Sequence, residues 1–115
     1  MLNAAHASVF HWSQIGTDLH HARGAMLLGH VHATLGMGDT ATRYARQCLE
    51  YFTPRDTPDW EIAFVHAIMA HAAFAAGDTE QHRTYHASAK KLGDAIADPE
   101  DRNIFLKTFN HIPEP

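Results

Sequence analysis

An all-α fold of about six helices forming one domain over residues 1–115 is predicted by three observations. Apolar residues recur at three- and four-residue intervals along most of the chain. The segments so marked are separated by Gly, Pro, Asp and Thr at positions where helices begin and end. No segment sustains the two-residue alternation of a half-buried strand, so no strands are expected.

The stretch from Trp60 to Gly77 is the organising element. Apart from Glu61, His66 and His71 it is apolar or small on nearly every side, the pattern of a helix covered by neighbours around most of its circumference. Around it the elements are arranged in chain order. Leu2 to Ile15 carries a stripe at Leu2, Ala5, Val9 and Trp12 and stops at Gly16. Thr17 caps a second helix that runs to about Leu35, with Gly24, Leu28, Val31 and Leu35 on one face and Gly36 as its stop. Asp39 or Thr40 caps a third, whose stripe is Ala41, Tyr44, Ala45, Cys48, Leu49 and Phe52 and which ends before Pro54.

The segment from Thr53 to Asp59 holds two prolines and is a loop. Thr57 then reads as N-cap and Pro58 as the first residue of the central fourth helix. Asp78, with Gln81 three residues on, starts a fifth helix with the stripe Tyr85, Ala89, Leu92 and Ile96. Asp98-Pro99-Glu100-Asp101 starts a sixth, which buries Phe105, Phe109 and Ile112 and ends before Pro113.

Composition narrows the function classes. Nine Lys and Arg against thirteen Asp and Glu give a net charge of −4 without basic blocks, which argues against a nucleic-acid partner. The central helix is near spanning length, but Glu61, two histidines and many alanines make a membrane span a poor fit. The amino terminus lacks the basic region and apolar core of a signal peptide. Cys48 alone cannot form an intrachain disulfide and sits in a helical stripe, where a buried thiol is expected. A cytoplasmic protein is the resulting expectation.

Two helical hairpins look alike. A shift of 41 residues superimposes Leu28-Gly29 on Met69-Ala70, Gly36 on Gly77 and Tyr44 on Tyr85. Such an internal repeat has a physical sense, because one helix pair cannot cover its own apolar faces and a second pair closes the core. Leu28, Gly29, Ala41 and Ala45 resemble the tetratricopeptide repeat over roughly residues 19–93, with His32 where that repeat usually has Tyr. The second unit departs further: His82 and His86 stand at positions that are normally small or aromatic, and the shift exceeds the repeat's usual length. The strings HWSQIGT, DWEIAFVHA and IADPEDR also resemble those of a group of uncharacterised bacterial proteins of this layout, which implies a fold and no activity.

The resemblance implies a right-handed stack of two tetratricopeptide-like hairpins with a flanking helix at each end, and a concave surface lined by the first helix of each pair. On the second helix the exposed row is Arg23, Met26, His30 and Thr34, and on the fourth it is Phe64, Ala67, His71 and Phe74. His30 and His71 are equivalent under the 41-residue shift. A partner-binding groove of Arg23, Met26, His30, Phe64, His71 and Phe74 suits a peptide or a partner's helix. The competing expectation is that the sixth helix covers this face and makes it core. A protein-interaction module without a cofactor is therefore expected.

Two other readings stand beside it. One is a histidine-based metal-binding protein. His82 and His86 have the four-residue spacing of helical zinc sites, but HRTYH lacks the adjacent glutamate and a third ligand. His66 and His71 diverge by about 140 degrees around one helix. The other is a homodimer whose twofold partner covers apolar end helices. Catalysis has no motif: Ser8, Ser13 and Ser88 lack a triad context, and Asp98, Glu100 and Asp101 are explained as caps. Eleven histidines lead to one more expectation, that the fold weakens below about pH 6 as buried neutral imidazoles are forced to charge.

Overall fold

The computed structural model describes residues 18–115, and within them the chain is helical without strands. Five helices occur in order: α1 (Asp18–Thr34), α2 (Gly38–Phe52), α3 (Asp59–Ala76), α4 (Thr79–Asp94) and α5 (Pro99–Phe109). They correspond to the second to sixth expected helices. The first expected helix, with Trp12, and the Thr17 cap lie outside the described residues. No helix among the described residues is long and apolar enough to cross a membrane.

Packing runs in chain order. α1 pairs with α2, α2 with α3 and α3 with α4, while α1 also touches α3, and α5 lies on α3 and α4. The central helix owes its contacts to small side chains: Ala63, Ala67, Ala70, Ala72 and Ala73 are all buried. Its first half meets Ile96, Phe105, Phe109 and Ile112. Its other sides meet Ala41 and Ala45 through Ile68 and Met69, and Ala22, Ala25, Cys48 and Phe52 through Val65.

The two hairpins close in the same way. Gly36 and Gly77 have φ of 75° and 76°, the left-handed region that a glycine enters without steric cost. At the end of α1, Met37 N–H bonds to His32 O at 2.8 Å and Gly36 N–H to Ala33 O at 3.0 Å. At the end of α3, Asp78 N–H bonds to Ala73 O at 2.9 Å and Gly77 N–H to Phe74 O at 3.1 Å. Both are Schellman closures, in which the two residues after the helix satisfy its last carbonyls. They are related by the 41-residue shift found in the sequence.

Helix starts agree in part. Asp98 accepts from Glu100 N–H at 2.8 Å and Asp101 N–H at 3.1 Å, with Pro99 in the first turn, and Asp78 accepts from Gln81 N–H at 3.1 Å. Two expected caps are replaced. α3 begins after Pro58 with no side-chain cap, because the Thr57 hydroxyl donates to Phe52 O at 2.7 Å and ties the loop to the end of α2. α2 starts at Gly38, ahead of Asp39 and Thr40, with Met37 at the N-cap position and no side-chain cap.

Two other boundaries move. Leu35, expected on the apolar face, is half exposed, because α1 ends before it and the chain turns toward Gly36. α5 ends at Phe109, so Ile112 is buried from a turn rather than from a helix.

Gly38 is required for a different reason from Gly77. A Cβ at Gly38 would fall on the backbone of Ala75 and Ala76, whereas one at Gly77 would meet nothing. Gly38→Ala forces α2 and α3 apart and is expected to cost about 3 kcal/mol. Gly77→Ala meets only the backbone penalty and is expected to cost about 1 to 2 kcal/mol. Urea unfolding of the two variants checks the order; equal losses would refute the close-approach account.

Candidate functional site

The expected groove row divides into two halves. At one end, Arg23 on α1 holds Glu61 on α3 through two hydrogen bonds, Nε to Oε2 at 2.9 Å and Nη2 to Oε1 at 3.0 Å. This is the fork-to-fork geometry that a guanidinium makes with a carboxylate. Glu61 is buried, and the guanidinium also lies 5.8 Å from the Trp60 ring centroid. Its hydrogen bonds to Glu61 raise the pKa of Arg23 against the opposing effect of desolvation. Met26 is half-buried against two of the core clusters. Phe64 meets Phe105 of α5 edge-on at 5.3 Å, and Ala67 is fully buried. Arg23, Met26 and Phe64 are thus engaged in holding helices together.

The other end is open. His30, Thr34, His71 and Phe74 line a cleft of about 610 Å³ between α1, α3 and the end of α5. Lys107, Thr108, His111 and Pro113 form its far wall. Phe74 is 48% exposed. The last helix therefore covers Phe64 and leaves His71 and Phe74 at the cleft. The sequence left open whether that last helix covers the row, and it did not mark Lys107, Thr108 and His111 as lining. Their positions depend on where α5 crosses α3, which no spacing within one helix reveals.

His30 and His71 come together, as their equivalence requires. Their ring centroids are 5.4 Å apart with planes at 60°. His71 is 8% exposed, and the Nδ1 atoms of both rings are buried without a hydrogen-bond partner. Desolvation lowers the His30 pKa, with a further push from His111. Desolvation also lowers His71, to about 4, helped by repulsion from His30 and His82. Both rings are neutral at pH 7, since burial away from a compensating charge disfavours the imidazolium.

His32, His82 and His86 have structural partners. His32 Nδ1 donates to Leu28 O at 2.7 Å within α1. His82 Nε2 donates to Pro113 O at 2.7 Å, which ties the chain after α5 back to α4. His86 lies against Phe109 at 4.6 Å between centroids. The HRTYH pair is thus turned toward the carboxy-terminal segment, with the two rings 6.0 Å apart and near perpendicular. No group of three or more His, Cys, Asp or Glu side chains suited to a metal ion occurs among the described residues.

His66 Nδ1 is hydrogen-bonded to the Ser88 hydroxyl across α3 and α4, an inter-helix pair not visible in the sequence. The buried Cys48 thiol donates to Ala22 O, and desolvation pushes its pKa up to about 12, so it is not a thiolate near neutrality. Ser8 and Ser13 lie outside the described residues. Comparison of the chain with protein-family models, with curated proteins and with solved structures finds no match.

Two measurements test this division of labour. Arg23→Ala leaves the Glu61 carboxylate buried without its cation. A loss of about 2 to 3 kcal/mol is expected, below the ~3–5 of a fully buried pair because the Arg23 side chain is 40% exposed. Replacing both residues, with Glu61→Met added, is expected to recover most of that loss, and no recovery would refute the pairing account.

The second test is pH. The folded His71 pKa lies below the unfolded value of 6.5, so the unfolded chain binds the extra proton first and stability falls as pH drops through that window. With a folded value of about 4, the loss attributable to His71 is about 2.5 kcal/mol at pH 4.5. His71→Gln is expected to flatten the stability profile between pH 6.5 and 4.5, and an unchanged slope would exclude His71 as its source.

Proposed function

We propose that this chain is a protein-interaction module of tetratricopeptide-like build whose partner seats in the cleft between α1, α3 and the end of α5. The observation that carries this reading is the incomplete cover given by α5. Phe105 closes over Phe64, while Phe74 remains half exposed beside His71, at the edge of a cleft with room for side chains of another molecule. Aromatic anchors in a partly desolvated concavity are the sites where partners gain most of their binding energy. The build is supported by tandem hairpins with matching closures at Gly36 and Gly77 and by first helices lying side by side at His30 and His71. The partner is another protein or a peptide.

A photoreactive phenylalanine analogue at position 74, compared with one at the exposed Arg46 position on α2, tests the assignment in extract of the native cell. A discrete adduct from position 74 alone is expected. The purified partner is then expected to lose about tenfold in affinity for Phe74→Ala. Adducts of equal yield from both positions would place the partner elsewhere.

A further inference from the structure

The cleft has a chemical bias that shape alone does not explain. The chain carries a net charge of −4, yet no Asp or Glu is among the described residues lining this cleft. Its polar lining is Lys107, three imidazoles at His30, His71 and His111, and the hydroxyls of Thr34 and Thr108. The Thr34 hydroxyl donates to His30 O at 2.9 Å, which leaves the lysine and the imidazoles as the principal donors. The Nδ1 atoms of His30 and His71 are buried without a partner and out of reach of an occupant of the cleft, so each ring has only its other nitrogen to offer. Phe74, Ala33, Ala75 and Pro113 supply the apolar part of the lining.

We propose that the cleft binds a phosphoryl group carried on an apolar or aromatic body, a deepening that rests on the cleft being the binding face. A carboxylate offers two oxygens, whereas a phosphomonoester offers three terminal oxygens and close to two negative charges. The second set matches four donor side chains better than the first. Lys107 supplies a permanent cation, and each imidazole donates an N–H to a phosphoryl oxygen in a charge-assisted bond. The body of the ligand lies along Phe74. Binding is coupled to protons: His30 from α1 and His82 from α4 repel an imidazolium at His71, and His111 repels one at His30, while Lys107 lines the same cleft. An anion among them reverses that repulsion, so its binding raises the pKa of His30 and His71 and tightens as those rings gain protons.

The test is histidine-resolved NMR of the whole chain titrated with inorganic phosphate, phenyl phosphate and benzoate. Phenyl phosphate is expected to shift His30, His71 and His111, to bind about tenfold tighter than phosphate or benzoate, and to raise the titration midpoints of His30 and His71. Lys107→Ala and His111→Ala, both at exposed positions, are expected to weaken phenyl phosphate about tenfold each while leaving the fold intact. Phe74→Ala is expected to remove the advantage of phenyl phosphate over phosphate. A phosphotyrosine peptide that binds more tightly than phenyl phosphate assigns the phosphoryl group to a protein partner, and one that binds equally assigns it to a free phosphoester.

Benzoate binding as tightly as phenyl phosphate, or no histidine shift at about 10 mM phenyl phosphate, overturns the proposal. The two readings fail separately. A position-74 adduct that survives phosphatase treatment of the extract refutes the phosphoryl ligand and keeps the binding face. Its loss on that treatment supports both.

Discussion

Each of the other four described helices touches α3, and the small side chains of α3 are the condition for that arrangement. The spacing between packed helices is set by the side chains at the contact. With alanine buried at 63, 67, 70, 72 and 73, neighbours close in from several directions. The closest point is at Gly38, where the start of α2 lies on the last turn of α3 with no space for a Cβ. Gly93 plays a related part under α5, since a Cβ there would fall on the Phe105 ring. Bulk in this protein comes from the neighbours, through Phe52, Phe105, Phe109 and Ile96, and α3 is the surface they share.

That crowding determines how polar groups on α3 are accommodated, and it yields two contrasting solutions. Glu61, a charge inside the contact region, is matched by a bidentate guanidinium from α1, so the carboxylate is kept with its partner supplied. His71 has no such partner, and its ring is accommodated by remaining neutral. The first arrangement locks α1 to α3 at one end of the pair. The second leaves an uncharged polar ring in the wall of the cleft. A locked charge pair and a neutral ring are therefore placed at opposite ends of the same helix pair.

Much of this architecture was legible in the sequence, because it rests on local rules. Gly36 and Gly77 mark helix ends through backbone stereochemistry, Asp78 and Asp98 mark starts through side-chain capping, and the alanine-rich run marks a helix with neighbours on most sides. The misplaced starts, at Thr57 and at Asp39 or Thr40, have separate causes. Each residue is a good cap by type, but the Thr57 hydroxyl is used by Phe52 O and the first turn of α2 is fixed by the Gly38 approach to α3. The Arg23–Glu61 pair spans 38 residues, and its clue was a lone carboxylate in an apolar helix. The signal for His82 was its place where the resembled repeat normally has a small or aromatic residue; in the structure it lies beside Phe74 and holds Pro113.

The cleft itself was the least legible feature because it arises from a mismatch of lengths. α3 has 18 residues and α5 has 11, so the shorter helix cannot shield the whole exposed row of the longer one. Beyond Phe109 the chain leaves the helical path, buries Ile112, and is drawn toward α4 by the bond from His82 to Pro113 O. That bond holds Pro113 at the cleft, where Lys107 and His111 also face His71 and Phe74. Had α5 continued by two turns, the same apolar logic that seats Phe105 over Phe64 would have seated another side chain over Phe74. The cleft thus exists because a helix stops early and because His82 anchors the carboxy-terminal segment to α4.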